Sequence, residues 1–197
     1  ALSRFLLIRG LWLVLLELTV LRFGWTFNVD YASFTFAGVI WVIGWSMVVL
    51  AGLVRLPPRV VGAIGVLIIL GHNALAPLLY GVESPAWWLR LLYVGGSFEL
   101  PGLGWQVVIL YVLLPWAGVI AAGFGFGAIM RWDPARRRRA CFAIGGAAVA
   151  LFVLLRTTGL YGDPRPWSRE VEGISPALAF LNTAKYPASL LFLLMTL

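Results

Sequence analysis

Arg136-Arg-Arg-Arg-Ala-Cys-Phe-Ala-Ile-Gly-Gly-Ala-Ala-Val-Ala-Leu-Phe-Val-Leu-Leu-Arg156 decides the fold. Four arginines precede a charge-free run over 140–155, and the next charge is Arg156. Extended to about Leu160, the run approaches the ~20 apolar residues with which an α-helix crosses a bilayer. Working outward, 31–54, 60–82 and 100–130 are also free of formal charge, taking His72 as neutral. Each has room for one span. Residues 5–21 hold another, interrupted by Arg9 and Glu17. The run 186–197 is too short to cross alone and reads as the start of a sixth helix. That helix begins as early as Ser175-Pro176, an N-cap followed by a first-turn proline, and Pro187 breaks or kinks it. The expected fold is all-α: one polytopic transmembrane bundle over 1–197, five spans plus a truncated sixth.

Composition agrees. Of 197 residues, 61% are apolar and 12% charged, with a mean hydropathy of +0.94. Soluble domains run at roughly 45–50% apolar and 25% charged, so an ordinary soluble domain, a disordered chain and a nucleic-acid-binding module are all excluded. The net charge of +7 is read first as topology, with the bilayer rather than nucleic acid as the partner. A single cysteine, Cys141, rules out an internal disulfide or a cysteine-based zinc site. No metal-ligand spacing, phosphate loop or nucleotide fingerprint is present. The chain starts at Ala1 and stops at Leu197 inside an apolar run, so both ends read as cut.

The loops alternate in charge. Arg4 and Arg9, then Arg55 and Arg59, then Arg131 and Arg136–Arg139 are separated by pairs of crossings. The positive-inside rule places all three sets, the N-terminus included, in the cytoplasm. The opposite face then receives Asp30, Glu83, Glu99, Asp163, Glu170 and Glu172. Between the third and fourth spans, Ala86-Trp-Trp-Leu-Arg-Leu-Leu-Tyr93 is aromatic and amphipathic and suits the membrane interface. Glycines at 38, 44, 62, 65, 145 and 146, and in Gly123-Phe-Gly-Phe-Gly127, read as close helix packing.

An ionisable residue inside a span costs roughly 2.5–3.5 kcal/mol on insertion scales and marks function by default. Arg9, Glu17, His72 and Arg156 are of this kind. With the orientation above, Glu17, His72 with Asn73, and Arg156 fall at similar depth toward the non-cytoplasmic side. Asp163, Arg165, Asn182, Lys185 and Tyr186 lie nearby in the outer segments. His72, Glu17 and Asp163 are the candidate catalytic groups. Asn73, Arg156, Arg165, Asn182 and Lys185 are candidates for substrate binding, with Arg156 and Lys185 offsetting carboxylate or oxyanion charge. Bland readings stand beside these: Glu17 pairs with Arg22 or Arg156, His72 makes an interhelical contact, and Tyr161-Gly-Asp-Pro-Arg-Pro-Trp167 is a rigid turn.

Five strings in order resemble one family: Arg4-Phe-Leu-Leu-Ile-Arg-Gly-Leu-Trp-Leu-Val-Leu-Leu-Glu17, Gly71-His-Asn73, Tyr111-Val-Leu-Leu-Pro-Trp-Ala-Gly118, Tyr161-Gly-Asp-Pro-Arg-Pro-Trp167 and Phe180-Leu-Asn-Thr-Ala-Lys-Tyr-Pro-Ala-Ser-Leu190. The chain is similar, over essentially its whole length, to the bacterial relatives of heparan-α-glucosaminide N-acetyltransferase. The resemblance implies an integral acyltransferase of the bacterial cytoplasmic membrane. It would take an acyl group from acetyl-CoA, or another acyl-CoA, on the cytoplasmic side and pass it to a sugar or related acceptor on the other. Arg59, Arg131, Arg136 and Arg137 would then meet the phosphates of CoA. The family's catalytic histidine belongs to helices that precede this segment, so His72 does not inherit its role. Two other readings stay open: a transporter or scaffold with a polar pathway through Glu17, His72 and Arg156, and a piece with no activity of its own. Homo-oligomerisation is open as well.

Overall fold

The apolar runs become helices, four of which pair through glycine. The computed structural model describes residues 1–79, 81–165, 167, 173 and 175–197; Glu170 and Glu172, placed on the outer face above, lie outside them. Helix α1 covers 2–26 and is continuous through a π-turn at Glu17–Leu21. Strand β1 (Thr35–Ala37) leads into α2 (Val39–Leu53), and α3 follows at Pro58–Leu79. A short helix α4 (87–94) precedes strands β2 (Gly96–Leu100) and β3 (Trp105–Ile109). Then come α5 (Leu113–Arg131), α6 (Pro134–Thr158), α7 (Pro176–Leu181) and α8 (Leu190–Thr196).

Three of these helices, α3, α5 and α6, are long and apolar enough to cross a membrane. The others depart from the five-and-a-sixth count for identifiable reasons. Helix α1 has the length, but Arg4, Arg9, Glu17 and Arg22 lie along it. Helix α2 has 15 residues because its apolar run is shared with β1. The sixth helix starts as expected, with Ser175 accepting from the Leu178 amide. It ends at Leu181, however, and α8 begins afresh behind a second cap in which Ser189 accepts from the Phe192 amide.

The fold is mostly helical but not all-α. Strands β2 and β3 form an antiparallel hairpin, and β1 pairs with β3 in parallel, giving the order β1-β3-β2. The physical cause lies inside the apolar stretch 100–130. Pro101-Gly-Leu-Gly104 reverses the chain, with Gly102 and Gly104 at φ +80° and +65°. The run that follows, Trp-Gln-Val-Val-Ile109, is aromatic and β-branched, which favours a strand over a helix. The amphipathic segment around 86–93 is indeed helical, with Trp87 and Trp88 exposed and Tyr93 buried.

Packing fixes which ends meet. Ser3 Oγ donates to the Ala51 carbonyl at one end of α1, while Glu17 meets the start of α2 at the other, so the two helices are antiparallel. A Cβ on Gly10 would lie 2.6 Å from the Gly44 carbonyl oxygen, and one on Gly44 would lie 2.6 Å from that of Gly10. Helices α3 and α5 cross similarly: Gly62 faces Gly125, and Gly65 faces Gly118 and the Ala121–Ala122 backbone. The packing role read for these glycines holds. It fails for Gly123, Gly145 and Gly146, which have nothing within 4 Å. Helix α6 stands apart, packing mainly on α8, with Phe142, Val149 and Leu154 exposed.

These registers gather the turns carrying Arg4, Arg55, Arg59 and Arg131 at one end, where Leu6, Leu50, Val54, Val61 and Phe124 pack together. Arg136–Arg139 continue from that turn, but they form the first turns of α6 rather than a loop. The small sheet, α4, and the described residues of 159–189 occupy the opposite end, over a core of Val14, Ala37, Trp41, Ile109 and Val112 on one side and Ile69, Ala188, Leu190 and Leu193 on the other.

Candidate functional site

The polar end is organised by a guanidinium. Arg156 sits in the last turn of α6 and is 4% exposed. Its Nε donates to the Phe180 carbonyl at 2.9 Å, and Nη2 donates to those of Ala179 and Asn182 at 3.2 and 2.6 Å. These carbonyls lie at the C-terminal end of α7 and carry its negative dipole end, and that of Ala179 also accepts from the Asn182 amide. Nη1 donates to the Arg165 carbonyl at 3.2 Å and lies 3.9 Å from Asp163 Oδ2. Phe180 packs edge-on against both Phe152 and Trp167 beside this group.

Asp163 ties the chain on either side of the buried pair. Its Oδ1 accepts from the Arg165 amide, and Oδ2 accepts from the Ala184 amide and from Ser189 Oγ. The turn that delivers it needs glycine. Gly162 has φ +97° and lies against Leu190 and Leu191. Tyr161 next to it donates to the Leu70 carbonyl at 2.7 Å and accepts from the Ala74 amide at 3.1 Å. Burial raises the Tyr161 pKa, partly opposed by the backbone amides of Ala74 and Asn73.

His72 and Asn73 clamp the same segment from α3. His72 Nδ1 lies 3.0 and 3.1 Å from the Ile69 and Ile68 carbonyls, and Nε2 lies 3.0 Å from that of Ala188. Both ring nitrogens therefore face carbonyl oxygens, and a neutral ring has one N–H to offer them. Asn73 Oδ1 accepts from the Leu190 amide at 2.7 Å. The node thus joins α3, α6, α7, α8 and the segment 159–165. It unites His72, Asn73, Arg156 and Asp163, and holds Arg165, Asn182 and Lys185 on its backbone.

Glu17 is not among them. Its Oε2 accepts from the Trp41 amide at 2.9 Å, so it caps α2 from a neighbouring helix, where Gly38 supplies no side chain. It pairs with neither Arg22 nor Arg156; the Arg156–Asp163 contact is the ion pair among the described residues. Arg22 has its own task, missed from sequence. It is 1% exposed, donates to the carbonyls of Phe34, Asn28 and Asp30, and lies over the Tyr31 ring. A charge one helical turn beyond Glu17 was the available signal. Arg9 is exposed and lies over Phe5.

The polar groups left open are those at the rim. Arg165, Asn182, Lys185 and Tyr186 are exposed. Tyr186 Oη is 3.1 Å from Tyr111 Oη, and Lys185 Nζ lies 5.2 Å from the centroid of the Tyr186 ring and 5.9 Å from that of Tyr111. The hydrogen bond with Tyr111, then the Lys185 ammonium, pulls the Tyr186 pKa below its ordinary value. Lys185 is raised in turn, chiefly by Tyr186, and burial raises Tyr111.

At the arginine end, Arg136 stacks on Trp132 at 4.1 Å, and Arg137 Nη1 donates to the Met130 carbonyl. Asp133 caps α6 by accepting from the Arg136 amide. Arg59 opens α3 and Arg131 closes α5. Compared with known proteins, the chain matches no family model, no curated protein and no solved structure.

Proposed function

We propose that this chain belongs to a membrane-embedded acyltransferase. It would use a CoA thioester at the arginine end and a sugar or related acceptor at the polar end. One observation carries the reading. Four of the five strings that prompted the resemblance, spread from Gly71 to Leu190, meet in or beside one hydrogen-bonded node opposite the arginines. In this proposal α1, α2, α3, α5 and α6 cross the bacterial cytoplasmic membrane and α8 begins a sixth crossing. The N-terminus and the Arg131–Arg139 turn face the cytoplasm, where a basic cluster also matches the charge rule.

The geometry reassigns the residues within that reading. Arg156, Asp163 and His72 have their polar atoms committed to backbone and to each other, and Asn73 Oδ1 is held by the Leu190 amide, so in this reading they shape the platform rather than touch substrate. Glu17 orients α2. The acceptor would meet Arg165, Asn182 and Lys185 at the rim, and Arg59, Arg131, Arg136 and Arg137 would meet the donor's phosphates. A transport pathway from Glu17 to His72 and Arg156 is less well supported, because Glu17 bonds to a different element from the other two.

Acetyl-CoA added to the purified full-length protein should raise its unfolding temperature. Binding that saturates at a hundred times Kd stabilises by about 2.7 kcal/mol. Replacing Arg59, Arg131, Arg136 and Arg137 by Gln should remove that shift. A protein whose melting is indifferent to acetyl-CoA would end the reading.

A further inference from the structure

Lys185 is the one lysine in the sequence; the other fourteen basic residues are arginine. Its ammonium is exposed, and among the described residues no carboxylate lies within ion-pair distance of it. Asp163, the acid of the node, is buried and already faces Arg156. What adjoins Lys185 instead is a pair of phenols. Tyr111, just before α5, packs against Trp116 with ring centroids 5.8 Å apart and meets Tyr186 edge-on at 5.2 Å.

The direction of the phenol–phenol hydrogen bond matters. Tyr111 is the less exposed partner, and at 3.1 Å either hydroxyl can donate to the other. When Tyr111 donates, the exposed Tyr186 hydroxyl has its own proton to offer a partner outside. The exposed array is therefore one of donors: an ammonium, and a phenol beside it. An ammonium and a hydroxyl side by side can both donate to a negative oxygen. The next charged side chain on the rim, Arg165, is also positive. Its backbone amide and that of Ala184, the neighbour of Lys185, bind the same Asp163 carboxylate, so the backbone at the two basic residues is held by one side chain.

We propose that Lys185 and Tyr186, ordered by Tyr111, form a receptor for an anionic oxygen, a carboxylate or phosphate carried by the acceptor. This names the acceptor class, an acidic sugar or similar anionic molecule, and to that extent rests on the reading of this end as the acceptor side.

The single lysine makes the test direct. The protein is placed in phosphatidylcholine nanodiscs and treated with an amine-acylating reagent at fixed pH and ionic strength. Modification of Lys185 is read by peptide mass, separately from the terminal amine. Inorganic phosphate or acetate should slow the modification saturably, and chloride should not. Tyr186→Phe should raise the half-protecting concentration about tenfold, the scale of one hydrogen bond to a charged group. Tyr111→Phe should raise it less, with folding of both variants checked by melting temperature. Protection equal in chloride, or unchanged in Tyr186→Phe, overturns the receptor. Nanodiscs containing phosphatidylglycerol distinguish the other source of phosphate: protection by that lipid without soluble anion overturns the acceptor assignment in favour of a headgroup. Acetyl-CoA binding is measured on the same samples. Its absence with anion protection intact removes the acyltransfer reading alone; its presence without protection removes the receptor alone.

Discussion

At the scale of single residues, the buried charges of the node are committed to one another and to backbone groups. Arg156 and Asp163 have side chains only 4% and 3% exposed, and each serves several backbone partners. Removing one member of such a pair leaves the other as an uncompensated buried charge, which costs about 3–5 kcal/mol. Arg156→Met should therefore lower stability by that amount in denaturant unfolding in detergent. A loss under about 1 kcal/mol, the scale of an exposed pair, would show that the node is not buried. Tyr161 provides a pH signature. Its pKa is raised above the ordinary 10.0, so its protonated form is favoured in the folded state. Its contribution is complete below pH 10.0 and fades as pH climbs through the raised value. The stability difference between wild type and Tyr161→Phe should accordingly be flat through neutral pH and shrink in alkali.

At the scale of elements, two antiparallel helix crossings depend on missing side chains. A Cβ on Gly65 would collide with the backbone of Ala121–Ala122 and lie 2.6 Å from the Gly118 carbonyl oxygen. Backbone cannot rotate aside, so Gly65→Ala should force α3 and α5 apart and destabilise by about 1–3 kcal/mol, the usual penalty of overpacking. Gly145→Ala is the control within the same protein. With nothing within 4 Å, the added methyl brings only alanine's helix preference, stabilising by at most about 1 kcal/mol. Melting temperatures of the two variants should move in opposite directions. The sequence pattern treats both as small-residue packing sites, because glycine spacing records that a helix face is smooth but not whether another helix lies on it.

At the scale of the whole molecule, charge separates the two ends. Arg55, Arg59, Arg131 and Arg136–Arg139 lie at one end, and the sheet and the node at the other. If the bilayer runs between them, the two ends differ in access. In a Cys141→Ser background, Leu160→Cys at the polar end, where Leu160 is 83% exposed, should react with a membrane-impermeant maleimide in intact cells. Arg138→Cys should react only after permeabilisation. The reverse pattern would invert the proposed orientation.

Hydrophobic runs and arginine clusters, read along the chain, determined the helical character, the three longest apolar helices and the sorting of basic turns to one end. These follow from local composition, because a charge-free run of span length has few other ways to satisfy its backbone in lipid. The tertiary structure decided the rest. It divided two apolar runs between strand and helix, since β-branching and a glycine turn act where hydropathy alone does not distinguish. It separated Glu17 from His72 and Arg156, which share a predicted depth but bond to different elements. It bonded His72 and Asp163 to neighbouring backbone and left Lys185 and Tyr186 exposed at the rim beside Tyr111. Depth can be counted in residues; the azimuth of a side chain, and the carbonyl it meets, depend on how the helices pack.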